Sequence, residues 1–348
     1  MNARADPLIL PGPVAVPGYS PTGFRRQPDQ RNLWEVHPMH HGPHRQRPPR
    51  RRTGRTFTFE LVDCQGFVTV NEFDDGRVGE LFLTVAKQGS TLAGLCDALA
   101  VSVSLGLQHG VPLALFVRHL AHTRFAPAGR TDDLQLPTAT SLVDYVFQRL
   151  ALTYLPFQDR AGLGVLTADE RAHPDPQHPL GGPALGTWAG PARQRPPRRR
   201  TGRTFTFELA DCQGFFTVNQ FDDGRVGELF ISVAKQGSTL AGLCDALAVA
   251  VSVGLQHGVP LGLFVRHLAH TRFAPAGRTD DPQLPTATSL VDYIAQRLAL
   301  TYLSDQDRAE ILTVDLQTQA AEAGLPALAR ASALAEAVAP HVAGRLGA

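Results

Sequence analysis

Apolar and polar side chains alternate from Thr56 to Leu61, placing Phe57, Phe59 and Leu61 on one face, and this two-residue period predicts a strand. A second strand is predicted over Gly66 to Phe73. It is closed by Asp74-Asp75-Gly76-Arg77, whose Asp-Gly pair suits a tight hairpin. Glu80 to Ala86 gives a third, with Leu81, Leu83 and Val85 on one side. The period then changes. Ser90 is placed as an N-cap, and Leu92, Leu95, Cys96, Leu99 and Val103 follow at helical spacing until Gly110. Pro112 fits the first turn of a second helix carrying Leu113, Phe116, Val117 and Leu120 on one face. After a Pro/Gly loop, Ser141 caps a last helix reaching Leu155. Three strands followed by three helices predict an α+β module, a three-stranded antiparallel sheet with about three helices on one face.

The pattern occurs twice. Arg45-Gln46-Arg47-Pro48-Pro49 returns as Arg193-Gln194-Arg195-Pro196-Pro197, and the copies then run in register to Arg160 and Arg308. Roughly one position in nine differs, far fewer than in solenoid repeats. At about 110 residues each copy is large enough to fold as a domain. Most exchanges are gentle, such as Leu83 to Ile231, Leu105 to Val253 and Val146 to Ile294, which a core tolerates. The modules therefore occupy 45–155 and 193–303. Residues 1–44, rich in Pro, Gly, His and Arg, predict a disordered arm. Residues 156–192 read as a Pro/Gly-rich linker, and 304–348 as an Ala-rich tail with short helices broken at Pro326 and Pro340.

The last helix of each module is apolar nearly all round, so the copies are expected to pair within the chain through it. Phe147 is replaced by Ala295, and such a large–small pair would suit a pseudo-twofold axis.

Composition narrows the function. The chain has 348 residues, 43% hydrophobic, with a net charge of +1, so no global basic field draws it to nucleic acid. Four cysteines form no C-x-x-C and no disulfide framework, which fits a reducing compartment. No apolar run approaches the ~20 residues of a membrane span. A cytoplasmic protein with no membrane contact is expected.

Several residues could bind a ligand. Lys87 with Ser90 and Thr91, and Lys235 with Ser238 and Thr239, place an ammonium beside a helix N-terminus that could hold a phosphate. Simple capping by the serines explains the same residues. Arg124 and Arg272 are further candidates for an anion or nucleotide. Arg50, Arg51, Arg52 and Arg55, with Arg198, Arg199, Arg200 and Arg203, form basic arms before the modules. Such arms can hold nucleic-acid phosphates or remain solvated. His119 and His122, like His267 and His270, are three apart, but no third or fourth zinc ligand stands at a recognisable spacing. No metal site is expected. Cys96 falls on an apolar helix face and reads as a core residue. Cys64, beside Asp63, is expected to have a raised thiol pKa rather than an activated one.

The spaced motifs Gly66-Phe67-Val68-Thr69-Val70, Gly79-Glu80-Leu81-Phe82-Leu83, Lys87-Gln88-Gly89-Ser90-Thr91, Leu107-Gln108-His109-Gly110-Val111-Pro112-Leu113, His122-Thr123-Arg124-Phe125 and Ser141-Leu142-Val143-Asp144-Tyr145 resemble the TSCPD domain family. That domain is the C-terminal accessory region of adenosylcobalamin-dependent ribonucleoside-diphosphate reductase. The second copy resembles it equally. The resemblance implies a role near deoxyribonucleotide synthesis, through binding the reductase or a nucleotide. The catalytic barrel, the redox cysteines and the Thr-Ser-Cys-Pro-Asp string have no counterpart here. The resemblance therefore carries over neither catalytic residues nor an expectation that this chain binds adenosylcobalamin. The alternatives are a nucleotide- or nucleic-acid-binding module using the arginine arms, or a fragment that shares only the family's sequence.

Overall fold

The structure, a computed structural model, describes residues 45–85, 89–174, 193–233, 237–309 and 311. In the first copy, β1 (Gly54–Leu61), β2 (Cys64–Glu72) and β3 (Val78–Val85) form an antiparallel sheet in that order. Helices α1 (Thr91–Gln108) and α2 (Leu113–Leu120) follow. Then come the short strands β4 (Gly129–Arg130) and β5 (Thr138–Ala139), helix α3 (Leu142–Tyr154), and two short helices, α4 (Phe157–Gly162) and α5 (Ala168–Ala172). The second copy repeats the plan with β6 (Gly202–Leu209), β7 (Cys212–Gln220), β8 (Val226–Val233), α6 (Thr239–Gln256), α7 (Leu261–Leu268), β9 (Gly277–Arg278), β10 (Thr286–Ala287) and α8 (Leu290–Tyr302). The α+β class and the antiparallel three-stranded sheets are as the sequence predicts.

Strand alternation decides the core. Phe59, Leu61, Val68, Val70, Leu81 and Leu83 are buried, while Thr58, Glu60, Phe67 and Phe82 on the other face are exposed. Helix α1 covers the sheet in two ways. Leu95, Leu99 and Val103 enter the core, and Ser104 and Gln108 bind the outer edge of β3. The Ser104 hydroxyl accepts from the Leu81 N–H at 2.9 Å, and Gln108 Nε2 donates to the Gly79 carbonyl at 3.1 Å. These bonds satisfy groups that an open strand edge would expose. Helices α1 and α6 are 18 residues long and apolar enough to cross a membrane by length and composition, yet 72% of each is buried inside the protein. That is the burial of a core helix. Ser90 and Ser141 cap α1 and α3 as expected. Pro112 stands at the N-cap of α2 rather than within its first turn.

Residues 156–174, expected as the start of a linker, instead pack on the first module as α4 and α5, with Val165 and Leu166 buried. Thr167 and Glu170 form a capping box, and Glu170 also pairs with Arg160 at 2.6 Å. In the tail, residues 305–309 are helical. The N-terminal arm, residues 175–192 and the rest of the tail lie outside the described residues.

The contact between copies differs from the expected one. It is centred on α1 against α6, flanked by α2 on α6 and α1 on α7. Helix α3 has its apolar circumference covered within its own module by α2, α4 and β5, and by Phe59, whose ring lies 5.2 Å from that of Tyr145. Phe147 is accordingly a core residue, 0% exposed. Its counterpart Ala295 lines a cavity of about 20 Å³ with Leu247, Phe264 and Leu298 inside the second module. That module also has Phe216 where the first has Val68, its ring stacked on Phe205 and edge-on to Tyr293.

Candidate functional site

The seam between the copies is made from the stretches that the sequence marks out. Asp144, 1% exposed, sets the local geometry. Its carboxylate accepts from the His122 N–H at 2.7 Å, the Thr140 N–H and hydroxyl at 2.8 Å each, and Gln148 Nε2 at 2.6 Å. His122 is thereby held at φ 64°, in the left-handed region that few non-glycine residues adopt. The loop so fixed carries Phe125 onto α6, where Gly242 makes room. A Cβ at Gly242 would lie 2.1 Å from the Phe125 ring, and one at Gly94 equally close to Phe273. Hydrogen bonds flank each ring. Thr91 Oγ1 donates to the Ala274 carbonyl at 2.6 Å, and the Ala274 N–H donates to the Gly89 carbonyl at 3.2 Å. On the other side Thr239 Oγ1 donates to the Ala126 carbonyl at 2.6 Å, and the Ala126 N–H to the Gly237 carbonyl at 3.1 Å.

This arrangement reassigns the anion candidates. Ser90 and Ser238 cap their own helices by accepting from Ala93 and Ala241. Thr91 and Thr239 spend their hydroxyls on the opposite copy. Arg124 and Arg272 are exposed, next to the buried Phe125 and Phe273. Each Ser-Thr pair thus meets the arginine-bearing loop of the other copy rather than its own. Lys87 and Lys235 lie outside the described residues.

The basic arms are partly tied down. Arg52 pairs with Glu80 at 2.7 Å and Arg200 with Glu228 at 2.8 Å. Arg55 pairs with Glu72 at 3.2 Å and lies over the Tyr154 ring. At Arg203 the corresponding carboxylate is absent, because Gln220 replaces Glu72. Arg50, Arg51, Arg198 and Arg199 remain exposed.

A second group along the seam has no motif that a single copy could reveal. Arg45 donates through Nε to Gln108 Oε1 at 2.7 Å, and its Nη1 reaches Nε2 of His267, in the other copy, at 3.5 Å. Arg193 donates to Gln256 Oε1 at 2.8 Å. The nearby His119 has its Nε2 buried with no hydrogen-bond partner among the described residues. Desolvation, with Arg45, Arg266 and Arg47, holds the His267 pKa below its usual value. Desolvation, with Arg193, Arg118 and His257, does the same at His119. No three metal-ligating side chains cluster among the described residues. His122 instead directs Nε2 to the Leu163 carbonyl at 3.1 Å.

All four cysteines are free. Burial pushes the thiol pKa up at Cys96 and Cys244, and also at the half-buried Cys64 and Cys212, where Asp211 adds to the effect at Cys212. Such thiols are poor nucleophiles and poor redox groups. An open groove of about 310 Å³ lies along Thr58, Gln65, Phe67, Thr84 and Asp132. It is at the low end of small-molecule sites.

Residues 40–154 and 188–302 match the model of the TSCPD domain. A 129-residue stretch is 49% identical to the vitamin B12-dependent ribonucleotide reductase of Streptantibioticus cattleyicolor, covering 37% of this chain and 22% of that protein. The protein of the same name from Streptomyces coelicolor is 49% identical over 129 residues, 37% of this chain and 13% of its own length. That of Rhodopirellula baltica is 43% identical over 117 residues, 34% and 11% respectively. The chain thus spans between 11% and 22% of these relatives. No solved structure matches. With the domain model matched over two separate segments that together make up most of its length, the chain belongs to the TSCPD domain family and carries that domain in two copies.

Proposed function

We propose that this chain is a non-catalytic accessory protein that acts in the cytoplasm and docks on a cobalamin-dependent ribonucleotide reductase, in support of deoxyribonucleotide synthesis and DNA replication. The observation that carries this reading is the 49% identity to a segment forming only 13% of a reductase, in a chain whose thiols are all raised in pKa by burial. Such thiols suit neither radical chemistry nor disulfide exchange with a substrate-reducing site. The test is co-purification with the cobalamin-dependent reductase from the same cells, together with an assay of the chain alone. Recovery of the reductase, and no deoxyribonucleotide from the chain with ribonucleotide, adenosylcobalamin and a dithiol, are expected. Clean absence of the reductase would remove the docking claim, and turnover by the chain alone would remove the non-catalytic one.

A second reading, binding of nucleic acid through the arms, draws on exposed Arg50, Arg51, Arg198 and Arg199. Arg52, Arg55 and Arg200 are already paired with carboxylates, which leaves few charges to release counterions. Any DNA affinity should therefore show a shallow dependence on salt. A steep one would favour this reading over docking.

A further inference from the structure

The two ends of the α1–α6 seam carry the same unbalanced charge. At one end Arg45 and Arg47, from the segment entering the first module, meet Arg266 and His267 of α7 in the second. Arg45 is fixed there by Gln108 and by its 3.5 Å approach to His267. At the other end Arg193 and Arg195 enter the second module, with Arg193 fixed by Gln256 at 2.8 Å and within electrostatic reach of Arg118 and His119 on α2 of the first. The carboxylates that act on Arg45 and Arg193, Glu80 and Glu228, also pair with Arg52 and Arg200. At each end three guanidinium groups from two modules thus lie close enough to act on one another electrostatically, and at the second end the buried His119 Nε2 has no hydrogen-bond partner among the described residues. The mutual repulsion is felt locally. Arg45 is held below its usual pKa by desolvation, Arg47 and Arg266 against the opposing pull of Glu80, and Arg193 by desolvation, Arg195 and Arg118 against that of Glu228.

Like charges brought together across an interface cost free energy unless an anion neutralises them. Guanidinium groups match phosphate oxygens in bidentate geometry. We propose that each end of the seam is a binding site for a polyphosphate chain, the di- or triphosphate of a free nucleotide. In each site the first arginine (Arg45 or Arg193) is set by its glutamine, and the second and third (Arg47 with Arg266, or Arg195 with Arg118) close from opposite modules. A chain carrying about three negative charges matches three arginines, whereas each internal phosphodiester of a nucleic acid carries one. Because every site draws on both copies, ligand binding also strengthens the seam. The site stands independently of docking on the reductase.

The test is calorimetric titration of the full chain at constant chloride ionic strength with sodium tripolyphosphate, adenosine diphosphate and a short single-stranded oligonucleotide. The first two should bind with two equivalents per chain. The double variant Arg47→Gln/Arg195→Gln alters exposed side chains for which no side-chain hydrogen bond or ion pair is seen among the described residues, and should weaken both by about tenfold or more. The control variant Arg50→Gln/Arg51→Gln should bind as the parent does. Tripolyphosphate should also raise the titration midpoints of His119 and His267 in NMR spectra. Heats no larger than those of added chloride, binding unchanged in the seam variant, loss in the arm variant instead, or binding of the oligonucleotide alone would each overturn the proposal.

Discussion

The exchange of Glu72 for Gln220 shows how much one side chain decides. In the first module the Tyr154 hydroxyl donates to Glu72 Oε1 at 2.8 Å, and Arg55 completes the group. In the second, Gln220 turns to the Gly224 carbonyl, and the buried Tyr302 hydroxyl has no partner among the described residues. A buried polar group without a partner costs roughly 1–3 kcal/mol. Gln220→Glu should therefore stabilise the chain by about 1 kcal/mol in denaturant unfolding, because the new carboxylate serves both Tyr302 and Arg203. A destabilised Gln220→Glu variant would mean that Tyr302 is satisfied in another way. The same scale separates what could be read beforehand from what could not. The Ser90 and Ser141 caps were legible because capping is local. The role of Asp144 was not, since its donors at residues 122, 140 and 148 come together only once the loop is folded.

Among elements, period and turn chemistry placed the sheet and the three long helices within a few residues. They could not show which helix faces the other copy. Helix α3 is apolar all round, but its own module covers it. Helix α1 reaches the other copy through Gly94, which in sequence is only a small residue in a helix. The capping box and ion pair within residues 156–174, and the bonds from Leu163, Ala168 and Arg171 that hold them on the first module, also lack an apolar period. Gly94→Val tests the seam at this scale. Valine improves helix propensity relative to glycine, yet its Cβ would meet the Phe273 ring at 2.1 Å. The variant should fold with its far-ultraviolet signal intact while Phe273 and Ala274 lose protection in hydrogen exchange. Unchanged protection would show that Phe273 does not sit against Gly94.

For the whole molecule, the four histidines near the seam link stability to pH. His109, His119, His257 and His267 all have folded pKa values below the usual 6.5, through desolvation first and then, beyond a backbone carbonyl that raises His109 and His257, through arginines. Below about pH 6.5 the unfolded chain takes up protons that the folded one refuses, so stability is complete above that value and declines as the pH falls through it. Thermal unfolding should shift to lower temperature between pH 7 and 6, and the shift should shrink in His119→Gln/His267→Gln. An equal shift in that variant would place the titrating groups elsewhere.

The central claim is that the family's sequence motifs lock one copy of the domain against another. Sedimentation of separately produced residues 45–174 and 193–311, alone and mixed, measures this most directly. Each segment carries both halves of the lock. The account therefore predicts dimers of each and mixed dimers of the two, dissociating when Gly94→Val and Gly242→Val are introduced. Segments that fold yet remain monomeric alone and together at tens of micromolar would contradict it.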